Sequence, residues 1–312
     1  MGLAVDSIRL RLPATSANLG AAFDCAAVAL AFYLTVEAEE AEVFSISATG
    51  EDAELCSRIE DNLILETYKS LLAREGKPAV PLAIRMENGI PLGMGCGSSA
   101  AGRLAAVALA AHFGQLGWDS ERILAESCAL EGHPDNAAAC WLGGLVVAAM
   151  EGERAHVARV EPPAAWHAMV VLPGESLATS KARAVLPKSY SRADAVANIQ
   201  AASLLGLAFA QGRGDLLRPA MQDRLHQPYR AEMCPLLPLL LPLAGSAGIL
   251  GAALSGAGPS VLLIVDRVES LEIAKEAVCA AVTGQVAVRL LAVEFEPNGA
   301  ARTWATLIPS IV

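Results

Sequence analysis

The segment PLGMGCGSSAAG, residues 91–102, limits what this chain can build more than any other. Glycine stands at positions 93, 95 and 97, and strong helix formers follow at once, SSAAGRLAAVALAAHF. Alternating glycines weaken strands and helices alike, because glycine loses the most backbone freedom on ordering. They permit a bare, turning backbone that arrives at a helix N-terminus. Such a terminus presents unpaired N–H groups and partial positive charge, which makes an anion site. The P-loop pattern GxxxxGK[ST] does not fit, since no lysine lies between Arg85 and Arg103. The Rossmann pattern does not fit either: the glycine spacing differs, and the position about twenty residues on holds no acid. A Gly-rich turn that merely packs closely is the alternative. Ala100, Ala101 and Gly102 leave space beside such a loop. With no lysine, a bound triphosphate needs another counter-charge. Mg²⁺ held by one or two oxygen ligands is the natural candidate. Ser98 or Ser99 offers a hydroxyl, and Glu131 the carboxylate, with Glu126 as its competitor.

Length and composition set outer bounds. The 312 residues suit two domains, and the 54% apolar share is enough for a substantial core. A net charge of −10 argues against nucleic acid as a partner, because phosphate backbones call for Lys and Arg. The seven cysteines, at 25, 56, 96, 128, 140, 234 and 279, show no C-x-x-C spacing. They read as reduced, mostly buried thiols of a cytosolic protein. The start MGLAVDSIRLRLPA lacks the apolar run of a signal peptide. Residues 233–265 carry no charge, a length that invites a membrane reading. Pro235, Pro238, Pro242 and the segment GAALSGAGPS interrupt it, so buried soluble segments and no membrane partner are expected.

Periodicity predicts strands at 7–12, 34–40, 43–48, 82–86, 144–150, 167–172, 248–254, 260–265 and 286–295. It predicts helices at 62–74, 98–113, 119–130, 179–186, 193–211 and 269–282. The polar stretch EGERAHVARVEPPAAW, with Pro162 and Pro163, marks a boundary, giving domains at 1–158 and 159–312. Irregular interleaving of strands and helices favours an α+β fold.

Four blocks, in order, carry a resemblance that spans nearly the whole chain. LPATSANLGAAFD (12–24), PLGMGCGSSAAG (91–102), EGHPDNAAACWLGG (131–144) and GAALSGAGPSV (251–261) resemble the motifs of the GHMP kinases, and of their homoserine kinase branch in particular. Where that branch usually has Pro-Gly, this chain has Ala21-Ala22. The resemblance implies an N-terminal domain like the second domain of ribosomal protein S5, a ferredoxin-like C-terminal domain, and an active site between them. It implies ATP-dependent phosphorylation of the γ-hydroxyl of L-homoserine for threonine synthesis, with ATP and Mg²⁺ as cofactors and a homodimer as the assembly. The phosphate loop is then Pro91, Leu92, Gly93, Met94, Gly95, Cys96, Gly97, Ser98, Ser99, Ala100 and Ala101, with Asn62 near the base. Ser99 and Glu131 become the metal ligands. Asn18, Asp24, His133 and Asp135 line the substrate, and Asn136 sits by the reacting hydroxyl. Thr179, Arg183 and Arg230 complete the set. Two guanidiniums suit an α-carboxylate, and Arg192 and Arg224 rival the two named. No dedicated base is expected, because positioning and charge stabilisation supply most of the rate in phosphoryl transfer, although an acid–base role for the adjacent Asp135 stays open. Another GHMP kinase, for a mevalonate-pathway or sugar alcohol, and a non-catalytic binding protein on this fold are the alternatives.

Overall fold

The computed structural model describes residues 7–305. Its first sheet contains β1 (Ser7–Ala17), β2 (Ala26–Glu40), β3 (Ser45–Gly50), β4 (Leu82–Asn88), β5 (Leu145–Glu151) and β6 (Arg154–Val160). The 15-residue β2 organises it. One edge of β2 pairs antiparallel with β1 along most of its length. The other edge takes β4 at residues 34–40 and β5 at residues 26–28. Helices α1 (Ala53–Cys56), α2 (Leu63–Arg74), α3 (Ser98–Phe113), α4 (Ser120–Glu131) and α5 (Asp135–Leu142) belong to this half. Nearly every side chain of α3 is buried, as expected of a helix that is apolar all round. Its alanines let α2, α4, α5 and β1 approach closely.

The second sheet holds β7 (His167–Pro173), β8 (Ile249–Leu254), β9 (Val261–Val265) and β10 (Val288–Glu294). Its order is β10-β7-β9-β8, antiparallel throughout. Renumbered within this half the order is 4-1-3-2, the ferredoxin-like arrangement. Helices α6 (Thr179–Ala184), α7 (Arg192–Ala210), α8 (Leu217–Ala220), α9 (Gln227–Arg230), α10 (Leu236–Leu240) and α11 (Leu271–Val282) surround it, and α12 (Ala301–Ala305) follows. The uncharged run 233–265 folds as α10, β8 and β9. Among the described residues one helix, α7, is long and apolar enough by composition to cross a membrane.

Helices α1, α5, α8, α9, α10 and α12 lie where periodicity predicts none, and three strand segments also depart from the expected ones. β1 continues through PATSA to Ala17, with a register shift at Pro13 that accommodates a residue lacking an N–H. β2 starts at Ala26 rather than at 34, because AAVALAFY is buried on both faces and so shows no alternation. The stretch taken as a linker contains β6, paired to β5 over its full length, so the division expected after residue 158 falls inside a strand. The first sheet ends at Val160 and the second begins at His167. The C-terminal residues then return to the first half. The Glu296 N–H donates to Ala29 O, the Ala300 N–H donates to Cys140 O, and Trp304 packs on Trp141. One apolar core runs through both halves, joining β1, α3 and α5 to Val170, Phe209 and Ile264.

The glycine loop explains its own spacing. Gly93, Gly95 and Gly97 all have positive φ. Between them Met94 and Cys96 turn into the core. A Cβ on Gly95 would lie 2.2 Å from Ser255 O, and one on Gly97 would lie 2.0 Å from Thr15 Oγ1. The same residues therefore pack closely on one side and leave bare backbone lining a cavity on the other. Gly95→Ala is expected to lower the unfolding free energy by about 2 kcal/mol or more, combining left-handed strain with a backbone clash. Gly76 has φ +67 with nothing near its Cβ position, so Gly76→Ala incurs the backbone term alone. Chemical denaturation of both variants checks this; equal losses would show that the clash with Ser255 relaxes freely.

Candidate active site

A cavity of about 400 Å³ opens between the halves, where four chain segments converge. The strand end Asn18–Asp24, the glycine loop, the turn into α5, and the α6/α9 pair from the second half each contribute. Asn18, Asp24, Gly93, Gly95, Gly97, Ser98, Ser99 and Ala100 of the expected set line it. So do Glu131, His133, Asp135, Asn136, Thr179, Arg183 and Arg230. Pro91, Met94, Cys96 and Ala101 do not; they face the interior and only their backbones serve the loop. Arg192 and Arg224 lie outside it, Arg224 pairing with exposed Asp194. Glu126 is also elsewhere, buried against Arg74 and Arg122.

The Asn18–Asp24 turn is held in a strained path. Asn18, Leu19 and Asp24 all have positive φ. The Asn18 amide closes it, accepting from the Asp24 N–H at 2.9 Å and donating to Gly256 O at 2.9 Å. Asn18 is thereby committed to shaping the loop. Asn198 of α7 adds a buried bond to Ala21 O at 2.7 Å, which holds the segment where Ala21-Ala22 replaces the usual turn pair.

Asp24 accepts a two-pronged pair from Arg183, at 3.0 and 2.6 Å. This contact, with the fields of Asp24, Asp135 and Glu131, raises the Arg183 pKa further above its ordinary value. Arg230 differs. It is 1% exposed and has no carboxylate partner among the described residues. Its guanidinium donates to Ala182 O, to His226 Nδ1 and to Gly256 O. Burial lowers its pKa, and the nearby Arg183 lowers it further. Both guanidiniums sit over the Phe23 ring, at 5.5 and 5.4 Å. Of these two arginines only Arg183 is paired with Asp24.

The opposite wall is a hydrogen-bonded chain. Asp135 is 1% exposed, and its Oδ1 lies 2.6 Å from His133 Nδ1 and accepts the Asn136 N–H at 2.6 Å. Thr15 Oγ1 donates to Asn136 Oδ1 at 2.6 Å, which turns the Asn136 NH₂ group away from β1. Burial opposes charge on His133, but the Asp135 contact with the fields of Asp135 and Asp24 outweighs it and raises the pKa. Nearby, Ser99 Oγ donates to Glu131 Oε1 at 3.1 Å, and Arg103 donates to both Ser99 and Glu131.

A second cavity, of about 490 Å³, meets the first at Ser98 and Ser99. It lies between α2 and β4, with Leu63, Ile64, Met86 and Ile90 in its wall. Asn62 borders it, but its amide is used in capping. It accepts from Ile64 and Leu65 N–H groups and donates to Cys56 O and Arg58 O. The sequence reading missed Thr15, Phe23, Arg103 and the positioning role of His226. Only Arg103 had a local signal, its i+4 spacing from Ser99.

Residues 62–144 match the family model for the GHMP kinase N-terminal domain, and residues 207–283 match that for the C-terminal domain. A fold of two sheets with a glycine loop at their junction is thus that of a GHMP kinase. The chain is 44% identical over 259 residues to a homoserine kinase of Solibacter usitatus, covering 83% of this chain and 85% of the relative. It is 41% identical over 258 residues to that of Deinococcus radiodurans, covering 83% and 84%. A crystal structure of homoserine kinase from Cytophaga hutchinsonii superposes with a TM-score of 0.79 at 26% identity, covering 96% of this chain and 98% of that one. The chain belongs to the homoserine kinase family. GHMP kinases use ATP as phosphate donor.

The His133–Asp135 pair makes a checkable prediction. A histidine whose pKa is raised in the fold contributes stability below about pH 6.5, its ordinary value, and that contribution is lost as pH rises through the folded value. NMR titration of the His133 ring should therefore show a midpoint above the ordinary one. In Asp135→Asn the midpoint should fall, leaving burial as the dominant influence. An unmoved midpoint would exclude Asp135 as the cause.

Proposed function

We propose that this cavity transfers the γ-phosphoryl group of ATP to the γ-hydroxyl of L-homoserine, giving O-phospho-L-homoserine and ADP in threonine biosynthesis. The observation that carries this reading is Arg230, a fully buried guanidinium without a carboxylate partner among the described residues, beside Arg183 and facing the cavity. A buried charge left unpaired is costly, so an anionic ligand group is its natural complement. Asp24 supplies the opposite sign 2.6 Å from Arg183. A ligand bearing both carboxylate and ammonium satisfies all three groups at once, whereas a sugar satisfies none.

The remaining residues fit the transfer. Backbone N–H groups at the start of α3 suit phosphate oxygens. The second cavity has room and apolar walls for the nucleoside, and Gly102 lets α3 lie close to Leu63 and Ile64 in its wall. Ser99 Oγ and Glu131 Oε1, 3.1 Å apart, form a hard oxygen pair of the kind Mg²⁺ prefers. When bound there, Mg²⁺ neutralises charge building on the phosphates. His133 and Asn136, both fixed by Asp135, place the acceptor hydroxyl. Asp135 acts as their orienter, and the hydroxyl proton leaves with the transferred phosphate rather than on a side-chain base.

ADP release with ATP, Mg²⁺ and a panel of homoserine, threonine, serine, mevalonate and galactose tests this reading. Turnover is expected with homoserine. Turnover with mevalonate instead would remove the ammonium role of Asp24. Asp24→Asn and Arg183→Gln should each raise the KM for homoserine and leave that for ATP nearly unchanged. The expected rise is about 10- to 100-fold, since hydrogen bonds to charged groups are worth about 1.5–3 kcal/mol. Equal effects on both substrates would place the pair outside the amino-acid site.

A further inference from the structure

Arg103 is the charged group of the cavity for which the reading above has no use. It lies one helical turn after Ser99 on α3, and helical side chains lean towards the N-terminus. Its guanidinium therefore points back at the glycine loop rather than out to solvent. Nη1 donates to Ser99 Oγ at 3.0 Å and to Glu131 Oε1, the same oxygen that receives the Ser99 hydroxyl. Its side chain is 30% exposed and that of Glu131 only 7%. The ion pair thus sits inside the cavity wall, where solvent screens it weakly.

This arrangement has one consequence for charge. A divalent cation on Glu131 would face a guanidinium on the same oxygen, and the two repel. Phosphate oxygens at the α3 terminus would then be the nearest free negative charge. Arginine presents a planar fork that fits two phosphate oxygens. We propose that Arg103 is an exchangeable counter-ion of the phosphate site, paired with Glu131 until a metal–nucleotide complex takes that carboxylate, and then bound to the nucleotide phosphates during transfer. Within a loop that has no lysine, it supplies the permanent positive charge. The proposal rests on residues 93–99 being the phosphate loop.

Full-length wild type, Arg103→Met and Arg103→Lys test it with three readouts. The first is binding of the Mg²⁺ complex of a non-hydrolysable ATP analogue, by calorimetry. The second is binding of Mn²⁺ to nucleotide-free protein, by electron paramagnetic resonance. The third is turnover. Arg103→Met should weaken binding of that metal–nucleotide complex about 10- to 100-fold, the loss of one charge-assisted contact. It should tighten Mn²⁺ binding, since Glu131 loses its competing cation, and lower kcat by about 10²-fold, as loss of one transition-state donor does. Arg103→Lys should fall between. An unchanged affinity for that complex in Arg103→Met overturns the proposal whatever Mn²⁺ does, because Arg103 would then serve Glu131 alone. Wild type that does not bind the complex sinks the phosphate-loop reading and the proposal together, and is told apart by the wild-type measurement itself.

Discussion

One hydroxyl from the second half of the chain holds the site in register. Ser255, at the end of β8, lies fully buried, with its Oγ 2.8 Å from Ser16 Oγ of β1 and 2.7 Å from Gly95 O of the glycine loop. The neighbouring Gly256 N–H donates to Ala17 O, and Gly256 O receives the Asn18 and Arg230 side chains. A turn from one sheet is thereby sewn to a strand end and a loop from the other. Glycine is obligatory at 95 because the Ser255 and Gly258 carbonyls occupy the space a side chain would need. The bareness of the loop answers to packing on one side and, under the proposed function, to phosphate on the other.

On that frame most of the charged groups are paired with one another. Arg183 holds Asp24, Arg103 holds Glu131, and His133 holds Asp135. Each pair offsets much of the cost of placing ions in a cleft, and each is oriented by the pairing. A zwitterionic ligand exchanges the Asp24–Arg183 bond for two of the same kind, whereas a neutral one would break it without return. Discrimination then comes less from the strength of any one contact than from what a wrong ligand leaves unpaired. Arg230 is the exception, with no carboxylate partner among the described residues.

Much of this was legible from sequence, and the failures are instructive. Four glycine- and Asx-rich blocks carried the resemblance, and with it most of the expected site residues; what the residues gave by themselves was local: a turn, a cap, a helix start. Alternation gave the half-exposed strands. It failed for Ala26–Tyr33, where burial on both faces removes the period, and for β6, whose alternating RAHVARV was obscured by charged neighbours and Pro162-Pro163. Thr15 escaped notice because its role depends on Asn136, 121 residues away. Phe23 escaped because two arginines from the other half meet over its ring. Glu131 and Glu126 were inseparable on paper. They lie on one helix five residues apart, which turns them to different faces, and only the fold shows that Glu131 meets Ser99 while Glu126 meets Arg74.

His226 shows how the second half controls a group it does not itself present. Its ring is fully buried and stacks on Phe23 at 5.1 Å. Burial lowers its pKa, which keeps the ring neutral despite Asp223 nearby. A neutral imidazole has one donor and one acceptor. Here Nε2 faces Gly20 O at 2.8 Å and so carries the proton, leaving Nδ1 to accept from Arg230. Protonation at Nδ1 would replace that acceptor with a donor aimed at a guanidinium, and Arg230 would lose its fixed direction. Asp223 accepts three successive backbone N–H groups at residues 225–227, which sets the α9 turn that spaces His226 from Arg230. The buried Arg230 guanidinium is thus aimed by a neutral ring, and that ring is shielded from water by Phe23 and the strained loop around Gly20.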